Sequence, residues 1–301
     1  MPFGFPSGHE LMRGIVEQLK PFGSQGDRVL GHAMLSALVE AGFDGHFVEQ
    51  FRSALEKSGK RSVDAFLEHR NEFIDVGKTA IALALMPKEN ERILFSPEKG
   101  LNWYEYLFNK LNARFEDFEK NSVSILTFNY DRSLEHYLFT ALKNAYGQAS
   151  QECARIMRSI PILHLYGKLG SLPDLESGGL EFGAAPNPSN LRRAADGIQI
   201  IHDDISNNPQ FQRAHQLLRD AERICFLGFS YDSTNLERLM GYQVSVSQHI
   251  CGTAVDLTGR ECHFIQQKFR QLGFSNSISK LDNNCADSLE FLRRECALDW
   301  E

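Results

Sequence analysis

The chain has 301 residues, 42% of them hydrophobic, which suits one large globular domain or two small ones with a sizeable core. Its 39 Asp and Glu outnumber 32 Lys and Arg, and this formal charge of −7 argues against a broad nucleic-acid-binding face, so we expect no direct nucleic-acid site. We also expect neither a membrane span nor a secretory signal, because no sufficiently long apolar run or charged-then-hydrophobic leader occurs.

The six cysteines include no Cys-x-x-Cys pair. Zinc ribbons hold the metal with such pairs, so we expect no zinc and no other metal site. The even scatter of the cysteines favours reduced thiols over a disulfide framework. This pattern predicts a cytoplasmic protein.

The first third of the chain is predicted to be a loop followed by helices. Glycine and proline up to Gly8 indicate the loop, and apolar spacing predicts a helix from about His9 to Leu19. Apolar residues continue at intervals of three and four across residues 28–120, which indicates a helical insertion. Within it, the charged stretch from Glu68 to Glu72 is interpreted as a solvated helix face.

A short apolar run at residues 123–128 is followed by the polar residues Asn129 and Asp131. The run is rich in β-formers and too short for a helix, while helical spacing resumes at Ser133. Ligands of open parallel sheets bind beyond the carboxyl ends of strands, so Asn129 and Asp131 are candidates for a site. The alternative is that Asp131 or Ser133 only caps the helix.

Two later stretches repeat this pattern of an apolar strand that ends on glycine and polar residues. One runs from Ile160 to Gly170 and the other from Ile224 to Asn235. Together the three strands predict an α/β fold with a Rossmann-like, mostly parallel sheet and one shared polar edge. Ser230 and Asp232 could instead be caps of the next helix.

The remaining segments are assigned by composition and apolar spacing. We expect a surface loop at 174–190, helices near 190–204, 209–221, 236–240 and 286–296, and a further strand at Cys262–Ile265.

Several short motifs, in chain order, resemble a known family. They are Thr127-Phe128-Asn129-Tyr130-Asp131, His164 to Gly167, and Gly228-Phe229-Ser230 with Asp232 and Asn235, supported by weaker matches at Gly4–Gly8, Ser62–Leu67 and Gly252–Thr258. Through these residues, over nearly its whole length, the chain resembles the sirtuin-like NAD hydrolases of bacterial anti-phage defence. The resemblance implies a single sirtuin-like domain over 1–301, with the insertion at 28–120 and the Rossmann-like core at 121–301.

The resemblance also implies an activity and partners. The activity is hydrolysis of NAD to nicotinamide and ADP-ribose, which would deplete NAD in abortive infection. NAD is then a substrate, and the protein is expected to form a homo-oligomer and to pair with a HerA-type hexameric ATPase.

The site residues follow from the same motifs. The implied catalytic residues are Asn129, His164 and Asp131, and the implied cofactor-binding residues are Thr127, Phe128, Tyr166, Gly167, Gly228, Ser230, Asp232 and Asn235. An uncharged amide such as that of Asn129 can hydrogen-bond ribose hydroxyls or a water. Asp131 would anchor the turn or stabilise the cation, and His164 would act as the general base. The last four residues of the cofactor set would hold the adenosine and its ribose or phosphates.

The chain departs from the family pattern in two places. The family has a first β-strand that ends in a Gly-Ala-Gly-type turn, whereas this chain begins on a loop. Either the start is placed too late, or part of the cofactor cradle is lost. In many relatives the catalytic histidine directly precedes the glycine, where this chain has Tyr166. His164 would share a strand face with Tyr166 and so reach the same pocket.

These departures leave a second hypothesis open. The protein would then be a catalytically weak or inactive scaffold that binds NAD or ADP-ribose within a defence complex. Protein deacylation is disfavoured, because the cysteine spacing cannot supply the zinc module of the sirtuin deacylases.

Overall fold

The computed structural model describes residues 3–20, 30–96, 101–111, 113–201, 205, 207–240, 248–272, 278–285 and 287–295. It divides the chain into two compact units, one of Met1–Glu98 with Thr127–Asp203 and one of Lys99–Leu126 with Asp204–Glu301. The predicted insertion at 28–120 therefore lies partly in each unit. Within the described ranges, every helix falls short of the length and hydropathy that membrane crossing requires.

Helices make up most of the described structure. They are α1 (Gly8–Gln18), α2 (Leu30–Glu40), α3 (Gly45–Lys57), α4 (Val63–Leu67), α5 (Ile74–Leu85), α6 (Glu91–Leu94), α7 (Trp103–Lys110), α8 (Ser133–Tyr146), α9 (Ser150–Ser159), α10 (Pro188–Asp196), α11 (Pro209–Asp220), α12 (Ser233–Leu239), α13 (Gly259–Gln271) and α14 (Ser288–Arg294). Short 3₁₀ helices lie at Asn71–Phe73, Met86–Lys88 and Phe115–Lys120. The strands are β1 (Ile125–Thr127), β2 (Ile162–His164), β3 (Arg223–Phe226), β4 (His249–Thr253) and β5 (Ile278–Asp282).

Helix α5 lies at the centre of the first unit. Its Val76, Ala80 and Ile81 are completely buried, and the helix packs against α1, α2, α3, α4 and α10. The predicted helices of this region are present to within a few residues, because their apolar stripes face this shared core. The predicted beginning of this region at residue 28 lies outside the described residues.

The second unit contains a parallel three-stranded sheet of order β3-β4-β5. Each strand is followed by a helix whose first turn is capped by a side chain, from Asp232, Thr258 and Asp287. Fully buried phenylalanines from α11, α13 and α14 contribute to its core. This strand-then-helix order is the local arrangement that the α/β prediction requires.

Strand pairing differs from the prediction of one sheet with a shared edge. In the described residues β1 pairs with β2 in a two-stranded sheet, whereas β3 belongs to the separate sheet of the second unit. The α/β class is thus present, in two small sheets. Apolar runs identify strands, but they do not determine which strands hydrogen-bond to each other.

The strand predicted at Cys262–Ile265 is wrong, because these residues lie within α13. Cys262, Ile265 and Phe269 are the buried positions of that helix, at intervals of three and four. Thr258 and Glu261 form a capping box at its start. The helix predicted to follow Asn190 ends at Asp196, well before residue 204, and the predicted end of the last helix at Cys296 lies outside the described residues.

Candidate functional site

Asn129 follows β1 in the first unit, and its backbone is held on both sides. Its N–H donates to the Thr127 hydroxyl at 3.0 Å, and its carbonyl accepts a hydrogen bond from His164 Nδ1 at 2.7 Å. The residue itself is exposed. The structure therefore fixes the main chain at Asn129 and leaves the residue accessible to solvent.

His164, the last residue of β2, is buried and hydrogen-bonded through both ring nitrogens. Nε2 lies 2.8 Å from Oε1 of Glu135, a residue of α8 that is itself 4% exposed. A backbone carbonyl only accepts hydrogen bonds, so Nδ1 of His164 carries a proton. An ionised carboxylate also only accepts, so Nε2 carries a second proton. The geometry is that of a buried imidazolium–carboxylate pair.

The pKa values of the pair shift in the directions that this geometry demands. Burial opposes the charge on His164, but the adjacent Glu135 carboxylate outweighs it and raises the pKa of the imidazole. Burial likewise opposes ionisation of Glu135, but His164, with help from Lys168 at 3.5 Å, lowers the pKa of that carboxyl. Each charge therefore favours the other, which is why the two pKa values move apart.

This arrangement bears on the predicted role of His164 as general base. A base needs a nitrogen lone pair within reach of the proton that it accepts, and here both nitrogens are hydrogen-bonded, to the Asn129 carbonyl and the Glu135 carboxylate. In this geometry His164 holds the Asn129 carbonyl, and its role as general base stays a prediction. Glu135 and Lys168, which complete this network, were missed by the sequence interpretation.

Asp131 lies two residues before the start of α8 and is hydrogen-bonded to Ser133, the first residue of that helix. Its Oδ1 accepts hydrogen bonds from the backbone N–H of Ser133, at 3.2 Å, and from the Ser133 hydroxyl. The carboxyl group is buried, which raises its pKa, although the two Ser133 hydrogen bonds oppose that shift. These bonds hold the turn before α8, whose N-cap position is Arg132 and has no side-chain capping bond.

Tyr166 and Gly167 form a tight turn directly after β2. The Gly167 N–H donates to the His164 carbonyl at 3.1 Å, so the strand alternation that would place His164 and Tyr166 on one face ends at His164. Tyr166 is buried, with its ring 5.1 Å from that of Phe128 in an edge-on arrangement. The prediction that these two side chains share a strand face is therefore wrong.

Gly167 is required by both conformation and space. Its φ is +72°, and a Cβ there would lie 2.1 Å from the Gly197 carbonyl oxygen. The backbone at 166–168 pairs closely with 197–199, through Gln199 N–H to Tyr166 O at 2.8 Å and Lys168 N–H to Gly197 O at 2.9 Å.

A second buried ion pair, between Arg132 and Glu89, fixes the start of α8. Arg132 is fully buried and binds both carboxylate oxygens of Glu89, at 2.9 and 2.6 Å. Its guanidinium also donates to the backbone carbonyls of Ser171, Leu180 and Glu181. A bidentate pair with further carbonyl partners is the arrangement in which a buried arginine is best satisfied.

Tyr130, between Asn129 and Asp131, contributes a buried hydroxyl. Among the described residues this hydroxyl has no hydrogen-bond partner, although the side chain is only 6% exposed. Buried polar groups are normally satisfied, so Tyr130 is a further residue of interest that the motif contained but the sequence interpretation gave no role.

The other four predicted cofactor-binding residues belong to the second unit, at the carboxyl end of β3. Gly228 has a φ of +59° and donates its N–H to the Thr253 hydroxyl at 2.8 Å. Ser230 and Asp232 are exposed. Asp232 accepts from the N–H groups of Thr234 at 3.0 Å and Asn235 at 3.3 Å, so the capping alternative describes its observed role.

The same edge of this sheet carries a residue that the sequence interpretation missed. Asp282 ends β5 opposite Thr253 of β4 and is 2% exposed. One carboxylate oxygen accepts the Asn284 N–H at 2.8 Å. Among the described residues the other oxygen has no hydrogen-bond partner. A polar residue directly after a strand is the pattern that drew attention to Asn129, and it could have identified Asp282.

Metal coordination is the remaining chemistry to consider. In the described parts of the chain, His, Cys, Asp and Glu form no group of three or more that could hold a metal ion. The described cysteines are free thiols. The expectation of no zinc stays a prediction.

Comparison with protein-family models, curated proteins and solved structures gave no match to this chain. The resemblance to sirtuin-like proteins therefore rests on the short motifs alone.

Proposed function

We propose that the protein hydrolyses NAD to nicotinamide and ADP-ribose, with Asn129 as the residue that contacts the reacting ribose. The observation that supports this most is the fixed backbone of Asn129, held by Thr127 and His164, together with the exposure of the residue. Preorganised polar groups stabilise a transition state because they need no rearrangement when charge develops.

Hydrolysis of NAD needs little acid or base catalysis from the protein. Cleavage of the glycosidic bond releases neutral nicotinamide and leaves an oxocarbenium-like ribose, which a water attacks with loss of a proton. The Asn129 amide can accept from a ribose hydroxyl and donate to the incoming water. In this proposal His164 acts through the Asn129 carbonyl, and Asp131 anchors the turn.

The resemblance supplies the rest of the proposal. It comprises depletion of NAD in anti-phage defence, assembly into a homo-oligomer and pairing with a HerA-type hexameric ATPase. The role of Gly228, Ser230, Asp232 and Asn235 with the adenosine half of NAD likewise stays a sequence-based prediction.

The test is nicotinamide release by the purified protein, alone and with its partner ATPase. We expect Asn129→Ala to lower the rate by about 100-fold or more, the size of effect seen when one preorganised donor is removed. Asn144→Ala is the matched control, because Asn144 is an exposed asparagine on α8. Normal turnover by a folded Asn129→Ala protein would contradict the assignment.

A pH profile tests the role given to His164. If His164 only positions Asn129, His164→Gln lowers kcat/KM but leaves the shape of its pH dependence unchanged. Loss of the acidic limb of the profile in His164→Gln would instead identify the imidazole as the base.

A second candidate function is that of an NAD- or ADP-ribose-binding scaffold without turnover. The saturated hydrogen bonding of His164 and the burial of Tyr166 favour it, because both remove groups that could assist catalysis. Saturable NAD binding without nicotinamide release, even with the ATPase present, would establish the scaffold and exclude the hydrolase.

A further inference from the structure

A groove in the first unit is lined by Phe66 of the Ser62–Leu67 match and by His69 and Arg70 of the charged stretch Glu68–Glu72. It is formed by α3, the turn after it, α4 and the following 3₁₀ helix, and it encloses about 790 Å³. This volume is within the range of small-molecule sites. None of the residues predicted to bind NAD lines it.

The lining of the groove is positively charged. It contains Lys57, Lys60 and Arg70, and its one carboxylate belongs to Glu49. Arg52 binds both oxygens of that carboxylate, at 2.9 and 2.6 Å, so Glu49 does not offset the lysines. Arg70 is paired with Glu72 at 2.7 Å, so Lys57 and Lys60 are the lining cations that pair with no described carboxylate.

Arg70 is held in place at the base of the groove. Its guanidinium carbon lies 4.8 Å from the centre of the Phe73 ring and 5.7 Å from that of Phe66. Its Nε–H donates to Glu72 at 2.7 Å. Among the described residues, the terminal nitrogens of Arg70 make no hydrogen bond. Because the Arg70 side chain is already held, binding an anion there costs little further side-chain entropy.

The side chains of Lys57 and Lys60 make fewer contacts than the Arg70 guanidinium does. Lys57 Nζ donates only to the Ser53 hydroxyl, at 3.1 Å, and no described residue accepts a hydrogen bond from Lys60 Nζ. Phe66 and Phe73 also line the groove, and their stacked rings add apolar surface beside the charges.

We propose that this groove binds the phosphates of a nucleotide. Guanidinium and ammonium groups together are the usual protein partners of phosphate oxygens. The volume exceeds what a phosphate group alone would fill, and neutral donors and acceptors on Gln50, Ser53 and Ser58 line the remainder. Because the groove is small and the chain as a whole is acidic, a free nucleotide fits better than a nucleic-acid strand.

Calorimetric titration of the full chain with ADP tests the proposal. We expect saturable binding that weakens at least tenfold in Lys57→Glu/Lys60→Glu and with rising salt. The matched control is Lys88→Glu/Lys143→Glu, which changes the net charge equally at two exposed lysines away from the groove. The control is expected to bind ADP as the wild type does.

Further titrations define the ligand class. Adenosine and inorganic pyrophosphate are each expected to bind more than tenfold more weakly than ADP. The proposal is overturned by the absence of saturable ADP binding, by unchanged affinity in Lys57→Glu/Lys60→Glu, by pyrophosphate binding as tightly as ADP, or by tighter binding of a 12-nucleotide oligomer.

The inference does not depend on the proposed NAD hydrolysis. The charge-reversed variant is expected to release nicotinamide at the wild-type rate at saturating NAD, and Asn129→Ala to bind ADP in the groove normally. Failure of one proposal therefore leaves the other intact.

Discussion

His164 and Glu135 form a pair whose contribution to stability depends on pH. The pKa of His164 is raised, so its contribution is complete below the unfolded value of about 6.5 and is lost as pH rises through the folded pKa. The pKa of Glu135 is lowered, so its contribution is complete above the unfolded value of about 4.3 and is lost as pH falls through the folded pKa. The pair therefore stabilises the folded protein most between about pH 4.3 and pH 6.5.

We therefore expect Glu135→Gln to lower the free energy of unfolding by about 3–5 kcal/mol near pH 5.5, because it leaves His164 without its buried counter-ion. The loss should shrink as pH rises through the raised pKa of His164, because the imidazole then loses its charge and no longer needs the counter-ion. Urea unfolding of both proteins at several pH values measures it.

Glu152→Gln is the control, because its salt bridge to Arg155 is half exposed on both sides. Such pairs contribute less than about 1 kcal/mol, and arginine does not titrate in this range. A loss for Glu135→Gln near pH 5.5 that is no larger than the loss for Glu152→Gln would contradict the charged pair.

Glu135 shows what the sequence could have indicated at the scale of residues. It precedes Phe139 and Leu142 at helical spacing, and both of those residues are buried. A carboxylate in an apolar row of a helix signals a buried partner. The identity of that partner could not be read, because His164 is 29 residues away in the chain.

At the scale of elements, the turn after β2 depends on the close approach of Gly167 to Gly197. Gly167→Ala is expected to cost about 2–5 kcal/mol, since it combines a left-handed backbone with a clash against a carbonyl oxygen. Thermal or urea unfolding measures the loss.

Gly147→Ala separates the two causes. Gly147 is left-handed at the end of α8, with a φ of +63°, but a Cβ there would meet nothing within 4 Å. Gly147→Ala should therefore lower the free energy of unfolding only by the cost of a left-handed alanine, about 1–2 kcal/mol. Equal losses for the two variants would show that the clash at Gly167 relaxes.

Helix α13 illustrates the limit of local patterns for elements. The apolar run Cys262–Ile265 suits a strand when read alone, and short runs of this kind are ambiguous. The capping box of Thr258 and Glu261 and the spacing to Phe269 indicate the helix. The helices around α5 were predicted well because their apolar stripes extend over two turns or more.

For the whole molecule, the α/β class was predicted and the division into two units was not. The predicted strands at β1, β2 and β3 exist, but their hydrogen-bond partners depend on contacts between distant segments. Strand β5, Ile278–Asp282, was not predicted, because its sequence Ile-Ser-Lys-Leu-Asp lacks the continuous apolar run that marked β1, β2 and β3.

The two units predict two unfolding transitions in scanning calorimetry, because each has its own core. Phe51→Ala and Phe291→Ala each remove a fully buried ring, one from each unit. Each should cost about 3–5 kcal/mol and lower only one of the transitions. A single transition that both substitutions shift equally would contradict independent cores.

The buried pair of Arg132 and Glu89 has a consequence for synthesis of the protein. The first unit is assembled from two separate stretches of chain, and Glu89 lies in the earlier one. Until Arg132 has left the ribosome, the Glu89 carboxylate lacks its buried cation, and until Gly183 has left it lacks the N–H that also binds it. The nascent helices must therefore remain incompletely packed while about ninety further residues are translated.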